Sequence, residues 1–405
     1  MPRTPRHPAV ALEDALRLSG PLSFDLMVKP AGSLCNLGCY YCYYLDKAEL
    51  YGGREPRMTE EMLRTVIRSY LEAVEVPEVT FNWHGGEPLV MGKDFYRKAL
   101  AFEREYALGR RVLNTLQTNG TLLDGEWCDI FREGNFLVGV SLDGPASVHD
   151  RYRKDRGGRG TLDQVLRGVR LLREHGVEFN TLTAVSKASE GRGKEIYRFL
   201  KACGSRYLQF NPVVEVVLGG RIVPPGTEGA RRGGWSVSAD GFGQFLCDIF
   251  DEWVRQDVGK VFVGQFDAAL SSWCGARPGI CAQGETCGAH AVVEHNGDVY
   301  SCDHFVYPAY RLGNLLETPL REMMGSERQV RFDLGKQQSL PPACLQCRWR
   351  FACNGECPQH RDASGQSALC AGYRRFFAHV APSMERMRAL LARGLPPALI
   401  MNPVG

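Results

Sequence analysis

The stretch Cys35-Asn36-Leu37-Gly38-Cys39-Tyr40-Tyr41-Cys42 sets three thiols in eight residues as C-x3-C-x2-C, with Tyr43 and Tyr44 next in line. Core packing does not call for cysteines at this density. The apolar segment Phe24–Lys29 before it reads as a strand, which puts the run on the loop leaving that strand. Thiolates are the usual ligands of iron–sulfur clusters, and a loop of this kind can wrap a compact inorganic group. Three thiolates leave one iron of a four-iron cluster without a protein ligand, and an open coordination position marks a working metal centre. The competing readings are a zinc site or buried free thiols; zinc ligands usually come in fours with C-x2-C pairs.

Outward from this loop, strand-like and helix-like segments alternate. Strands are expected at Phe24–Lys29, Glu78–Trp83, Arg111–Gln117, Phe136–Leu142, Glu178–Val185 and Arg206–Asn211, short runs bounded by Gly, Asn or Pro. Between them, Thr59–Ala73 repeats Met62, Val66, Ile67, Tyr70 and Leu71 on one helical face behind Thr59 as an N-cap, and Thr161–His175 has the same design. Repeated strand–helix units imply a parallel sheet with helices outside. Six strands are too few for an eight-stranded barrel, so the expected fold is α/β, an open partial (β/α)6 barrel with ligands at the carboxyl ends of its strands.

Val213–Ser238, rich in Gly and Arg, reads as an insertion or linker, and Asp240–Val258 as an amphipathic helix. After Trp273 the texture changes to dense Cys, Gly and Pro with a hairpin at Val292–Val299, a second, small, metal-stapled domain. Tyr373–Ala392 closes the chain as a helix, and Gly394–Gly405 reads as a loose tail.

The totals agree with a soluble protein of more than one domain: 405 residues, 44% hydrophobic and 23% charged. A net charge of +3 from 49 basic and 46 acidic residues gives no reason to expect nucleic acid or an anionic membrane as a partner. Arg3, Arg6 and His7 are not followed by an apolar signal core, and no run approaches the ~18 apolar residues of a membrane span. A cytoplasmic location is expected, where 15 Cys point to metal rather than disulfides.

With an aromatic, Tyr41, before its last thiol, the run Cys35, Cys39, Cys42 resembles the signature of the radical S-adenosylmethionine (SAM) enzymes. Phe81-Asn82-Trp83-His84-Gly85-Gly86-Glu87-Pro88 resembles the family's G-G-E-P segment. The resemblance implies contact with the SAM amino group, with Gly85 and Gly86 letting the backbone approach and Glu87 supplying a carboxylate. His84 stands where many relatives carry Gln; contact with SAM or substrate and a satisfied buried His are both open. Ser141 and Asp143 are implied near the methionyl and ribose groups, and Arg153 as a partner of the SAM carboxylate, against the plainer readings of a turn and a solvated charge. Gln209-Phe210-Asn211-Pro212 is a further candidate for lining this cavity.

The C-terminal thiols are similar to the SPASM domain, the auxiliary-cluster module of a radical SAM subgroup. Its interleaved pattern implies Cys281, Cys287, Cys302 and Cys357 on one cluster and Cys344, Cys347, Cys353 and Cys370 on the other. Cys128, Cys203 and Cys247 fall on apolar helical faces, and Cys274 is an alternative ligand to Cys281. Tyr300-Ser301-Cys302-Asp303-His304-Phe305 resembles the anaerobic sulfatase-maturating enzymes, which implies Asp303 as the catalytic base; Leu45-Asp46-Lys47, Arg311-Leu312-Gly313-Asn314 and Cys353-Asn354-Gly355-Glu356-Cys357 agree. The likeness runs from about Leu26 to Ala381.

What the resemblance implies is a radical SAM oxidoreductase that converts a Cys or Ser of a sulfatase to Cα-formylglycine. It implies SAM and three 4Fe-4S clusters (one SAM-binding, two auxiliary). A 5′-deoxyadenosyl radical would abstract hydrogen, Asp303 would take a proton, and an electron would leave through the auxiliary clusters. The expected partners are an unfolded or nascent sulfatase polypeptide with a C/S-x-P-x-R motif and an electron donor such as flavodoxin or ferredoxin; a monomer is expected. The expected divisions are an N-terminal extension 1–23, the partial barrel 24–238, a linker helix region 239–273, the auxiliary-cluster domain 274–381, and a helix end and tail 382–405. One rival is a SPASM maturase that crosslinks a ribosomal peptide, for which the first 23 residues look short of a leader-binding domain. The other is a zinc-binding module without catalysis.

Overall fold

A computed structural model of the chain describes Leu12, residues 22–51 and residues 56–402. Except for Leu12, Leu22 and Ser23, the expected N-terminal extension lies outside the described residues. Six parallel strands follow the expected order: β1 (Asp25–Lys29), β2 (Glu78–Trp83), β3 (Arg111–Thr118), β4 (Phe136–Ser141), β5 (Phe179–Val185) and β6 (Tyr207–Pro212). Each connection to the next carries helix: α1 (Glu60–Ala73), α2 (Lys93–Tyr106), α3 (Gly125–Glu133), α4 (Ala146–Tyr152), α5 (Leu162–Glu174) and α6 (Gly193–Ala202). Thr59 caps α1 by accepting the Met62 N–H at 3.2 Å.

The strands alternate in a way that positions the site. Phe81 and Trp83 of β2, Leu116 of β3 and Val138 and Val140 of β4 are buried in one core with Leu63 and Ile67 of α1. The opposite face carries half-buried Asn82, Thr115, Gln117, Ser141, Asn180 and Gln209. Parallel strands covered on both faces are apolar throughout. A polar inner face therefore means a hollow left for a polar ligand.

The C-terminal Cys-rich segment does not stand apart from this sheet. β11 (His290–Glu294) pairs parallel with β1, Lys29 opposite Glu294, and β12 (Asp298–Tyr300) and β13 (Arg311–Asn314) continue the sheet antiparallel. The hairpin turns at Gly297, whose φ of +87° suits glycine. At the far edge, the two-residue strand β10 (Phe262–Val263) extends β6.

Two readings are corrected. Residues 213–238 are not plain linker: β7 (Val216–Leu218), β8 (Arg221–Val223) and β9 (Arg231–Arg232) form a small antiparallel sheet, too short for its periodicity to show in sequence. Nor is the tail loose as far as it is described, since Pro397–Met401 makes a turn of 3-10 helix and Ile400 is buried in the core. The long helices α7 (Ala239–Gln256), α8 (Gly264–Trp273) and α9 (Cys370–Ala392) pack beneath it. Helices α7 and α9 meet so closely that a Cβ on Gly372 would lie 2.1 Å from the Ala239 carbonyl oxygen. Phe242, Phe245, Phe376 and Phe377 fill the seam, each worth about 1.5–3 kcal/mol when buried. Among the described residues no helix is long and apolar enough to cross a membrane.

Candidate active site

The loop leaving β1 is held from three sides. The end of β2 pairs with it through Gly86 N–H to Gly32 O at 2.6 Å and Glu87 N–H to Leu34 O at 2.8 Å. This approach requires glycine, because a Cβ on Gly86 would lie 2.1 Å from the Leu34 carbonyl oxygen. From β3, Asn119 donates to Asn36 Oδ1 at 2.8 Å and reaches Cys35 Sγ at 3.8 Å. From the end of α4, the Lys154 and Tyr152 carbonyls accept Gly38 N–H and Tyr40 N–H at 2.8 and 3.1 Å.

Cys35, Cys39 and Cys42 are brought within electrostatic reach of one another, and burial pushes their thiols up to about 12, about 11 and about 11. Such thiols ionise only beside a strong positive charge. The donor set thus fits an iron–sulfur cluster, whose cations hold thiolates. The C-terminal cysteines gather in two groups. Cys302 lies in reach of Cys281 and Cys287, and Cys357 of Cys302 and Cys281. Cys344 lies in reach of Cys370 and Cys347, and Cys353 of Cys370 and Cys344. Asn354, Gly355 and Glu356 all take positive φ (48°, 73° and 57°), which turns the chain sharply between Cys353 and Cys357. Among the described residues, no three His, Cys, Asp or Glu side chains converge on a point fit for a single ion. Cys128 and Cys247 are buried in the core, Cys203 packs against it, and Cys274 is exposed.

Glu87 and Arg153 both have partners within the protein. The Glu87 carboxylate is held by three protein donors. It accepts from Leu89 N–H at 3.0 Å, the Thr118 hydroxyl at 2.8 Å and Asn119 N–H at 2.7 Å, and burial pushes its pKa up to about 7. Arg153 gives Nε and Nη2 to Asp143 at 2.9 and 3.1 Å instead of leaving both for a SAM carboxylate. Asp143 also accepts the Tyr41 hydroxyl at 2.5 Å and Ala184 N–H at 2.9 Å. Burial raises the Asp143 carboxyl, but Arg153 and His149 outweigh it and hold it below the usual range. Ser141 stays on the hollow, accepting from Gln117 Nε2 at 3.0 Å.

On the loop's other side, Tyr43 donates to Asp303 at 2.5 Å, across 260 residues of chain. Lys29 Nζ stops 3.8 Å from Asp303 and lies 3.3 Å from the centre of the Tyr44 ring. Burial raises the Asp303 carboxyl, but His304, Lys29, His84 and the Tyr43 hydroxyl together hold it well below the carboxylate range. Burial and Lys29 lower His84 to about 4, so this ring is neutral beside Asp303. Lys29 escaped sequence reasoning because a lysine at a strand end carries no signal until Glu294 and Asp303 fold over it. Lys336 escaped for the same reason: its buried ammonium donates to the Cys281, Ala282 and Gly284 carbonyls at 2.6, 2.9 and 2.6 Å beside the auxiliary thiols.

A partial barrel with a three-thiol loop at its mouth, extended by a Cys-rich segment, defines a radical SAM enzyme with an auxiliary iron–sulfur domain. Residues 30–200 match the Radical SAM superfamily, and residues 281–348 match SPASM, the iron–sulfur cluster-binding domain. The chain is 47% identical over 390 residues to the serine-type anaerobic sulfatase-maturating enzyme of Bacteroides thetaiotaomicron, covering 93% of this chain and 94% of that one. It is 30% identical to the cysteine-type enzyme of Clostridium perfringens over 90% of this chain and 97% of the relative. The solved structure of native anSMEcpe with bound AdoMet and Cp18Cys peptide superposes with a TM-score of 0.81 at 29% identity, covering 91% of this chain and 99% of that one. This chain belongs to the family of anaerobic sulfatase-maturating enzymes.

Proposed function

We propose that this enzyme oxidises a serine or cysteine of a sulfatase polypeptide to Cα-formylglycine. Cys35, Cys39 and Cys42 would hold the SAM-binding 4Fe-4S cluster. Cys281, Cys287, Cys302 and Cys357 would hold one auxiliary 4Fe-4S cluster, and Cys344, Cys347, Cys353 and Cys370 the other. When bound, these groups supply hydrogen-atom abstraction from an unactivated C–H bond by a 5′-deoxyadenosyl radical, and an exit for the second electron.

The protein's own residues do the rest. The backbone at Tyr41, Gly85 and Gly86, with the Ser141 hydroxyl, faces SAM. Glu87, Asp143 and Arg153 position those groups through the bonds described above. Asp303 accepts the proton of the substrate's hydroxyl or thiol; its carboxyl, held below the usual range, is in the ionised form that a base requires. Tyr43 and Lys29 hold it in place.

The observation that carries this reading is Asp303, adjacent to Cys302, meeting Tyr43 of the three-thiol loop. Serine is the favoured target, supported by 47% identity to the serine-type relative against 30% to the cysteine-type one. The proposal is completed by an unfolded or nascent substrate carrying C/S-x-P-x-R, a monomeric enzyme, and a separate donor such as flavodoxin or ferredoxin. Anaerobic incubation with one C-x-P-x-R and one S-x-P-x-R peptide, read by mass spectrometry, tests it. Aldehyde should form on both, faster on serine; an unchanged mass on both would overturn the reading.

A further inference from the structure

The three-thiol loop has two faces. Tyr43 and Tyr44 point toward Asp303 and Glu294, where the substrate's proton is taken. The other side is backed by residues 152–156, through the Gly38 and Tyr40 N–H bonds and a Leu37–Asp155 bridge. Here Tyr40, between Cys39 and Cys42, is 59% exposed. Beside it lies a depression of about 570 Å³ lined by Tyr40, Ala146, Arg151, Tyr152, Lys154 and Trp235. Arg156, itself exposed, donates Nη2 and Nε to the Cys35 carbonyl at 2.9 and 3.3 Å, so a surface guanidinium touches the loop directly.

The charge on this face is positive in balance, Arg151, Lys154 and Arg156 against Asp150, with Asp155 and Arg159 cancelling. Of its carboxylates, Asp155 is engaged by Arg159 at 2.8 Å and by Gly157 and Arg159 N–H. Asp150, also on the rim, accepts Thr161 and Leu162 N–H at 2.8 and 3.0 Å. Among the described residues the Arg151 and Lys154 side chains have no hydrogen bond or ion pair. Arg151 and Lys154 on the depression beside Tyr40, with Arg156 on the Cys35 carbonyl, thus set positive charge along this side of the loop.

We propose that this face docks a small acidic one-electron carrier protein in its reduced form. The inference rests on the reading of Cys35, Cys39 and Cys42 as cluster ligands. Each reductive cleavage of SAM consumes one electron, giving methionine and the 5′-deoxyadenosyl radical, while the carrier is oxidised by one electron. That electron has to enter at the loop, and the face toward Asp303 is needed for the substrate. The rim offers the complementary charge that steers an acidic carrier into contact and sets its salt dependence.

The test compares two donors on the anaerobically reconstituted holoenzyme, following 5′-deoxyadenosine. Reduced flavodoxin has to dock; dithionite does not. In R151E/K154E, flavodoxin-driven cleavage at low salt should fall about tenfold or more and lose its salt dependence, while dithionite-driven cleavage stays at the wild-type rate. R151Q/K154Q should fall between and serves if the reversed pair folds poorly. Wild-type flavodoxin rates and salt dependence in both variants would overturn the proposal, as would an equal loss with both donors. Failure of dithionite to drive cleavage even in the wild type would instead overturn the cluster reading on which the proposal stands.

Discussion

Tyr41 and Tyr43 leave the same loop two positions apart, and each donates its hydroxyl to an aspartate at 2.5 Å, buried Asp143 and half-buried Asp303. Each aspartate is paired with a buried cation. Around Asp143 the arrangement is closed, with a bidentate Arg153 at 2.9 and 3.1 Å and the Ala184 N–H at 2.9 Å. Around Asp303 it is open. Lys29 stops at 3.8 Å, and its ammonium finds no hydrogen-bond partner among the described residues. A carboxylate with its acceptor sites filled is a strut; one held ionised with sites to spare can take a proton. The same trio of tyrosine, aspartate and cation, with arginine in one case and lysine in the other, is closed on one face of the loop and open on the other.

The largest test of this contrast is Asp303→Asn. SAM cleavage should continue, while formylglycine yield falls by about 10²–10⁴-fold, the usual range for a lost general base. Paired assays of 5′-deoxyadenosine and peptide mass check it, and undiminished aldehyde would remove Asp303 from the mechanism. Next comes Arg153→Met, which strands a buried carboxylate and should cost about 3–5 kcal/mol in anaerobic denaturant unfolding. Lys29→Met should cost less than half as much, since the ammonium it removes is itself unsatisfied; equal losses would mean that the two groups are built alike.

The tyrosines give a finer contrast. Tyr41→Phe should lower stability by about 1.5–3 kcal/mol, the range for a hydrogen bond to a charged group, without changing the ratio of aldehyde formed to SAM cleaved. Tyr43→Phe should lower that ratio.

A pH profile separates both aspartates from the carboxyls that titrate near neutrality. Asp143 and Asp303 are held below the unfolded value, so their stabilising contribution is present above it and lost only as pH falls into the acid range. Burial raises Glu87 to about 7 and Glu103 to about 8, so their contribution is full below the unfolded value of about 4.3 and lost as pH rises to those points. Stability should therefore fall between pH 5 and 8 by at most about 1.4 kcal/mol per pH unit for each proton. Glu103→Gln should flatten that slope; an unchanged slope would assign it elsewhere.

Much of this was legible beforehand, in places where the signal is local. The six barrel strands fall within about a residue of their expected bounds because alternation and Gly, Asn or Pro boundaries act over a few residues. The cysteine spacing was legible because a cluster ligand set is written into the thiols themselves. What sequence did not show is that Glu87 and Arg153 are also bonded within the protein. Their partners Asn119 and Asp143 come from other strand ends, and nothing in G-G-E-P or in an isolated arginine says which way the side chain turns.

By itself, then, the sequence determined the alternating α/β framework, the thiols and the class of cofactor they can hold, because each depends on residue type at short spacing. Tertiary structure alone decided which charged groups are closed and which are open. It put β11 beside β1, and with it Glu294 and Asp303 beside Lys29 and Tyr43. Burial and Coulombic neighbours, which set whether a carboxyl braces the loop or takes a proton, exist only once β1 and β11, distant in the chain, share one sheet.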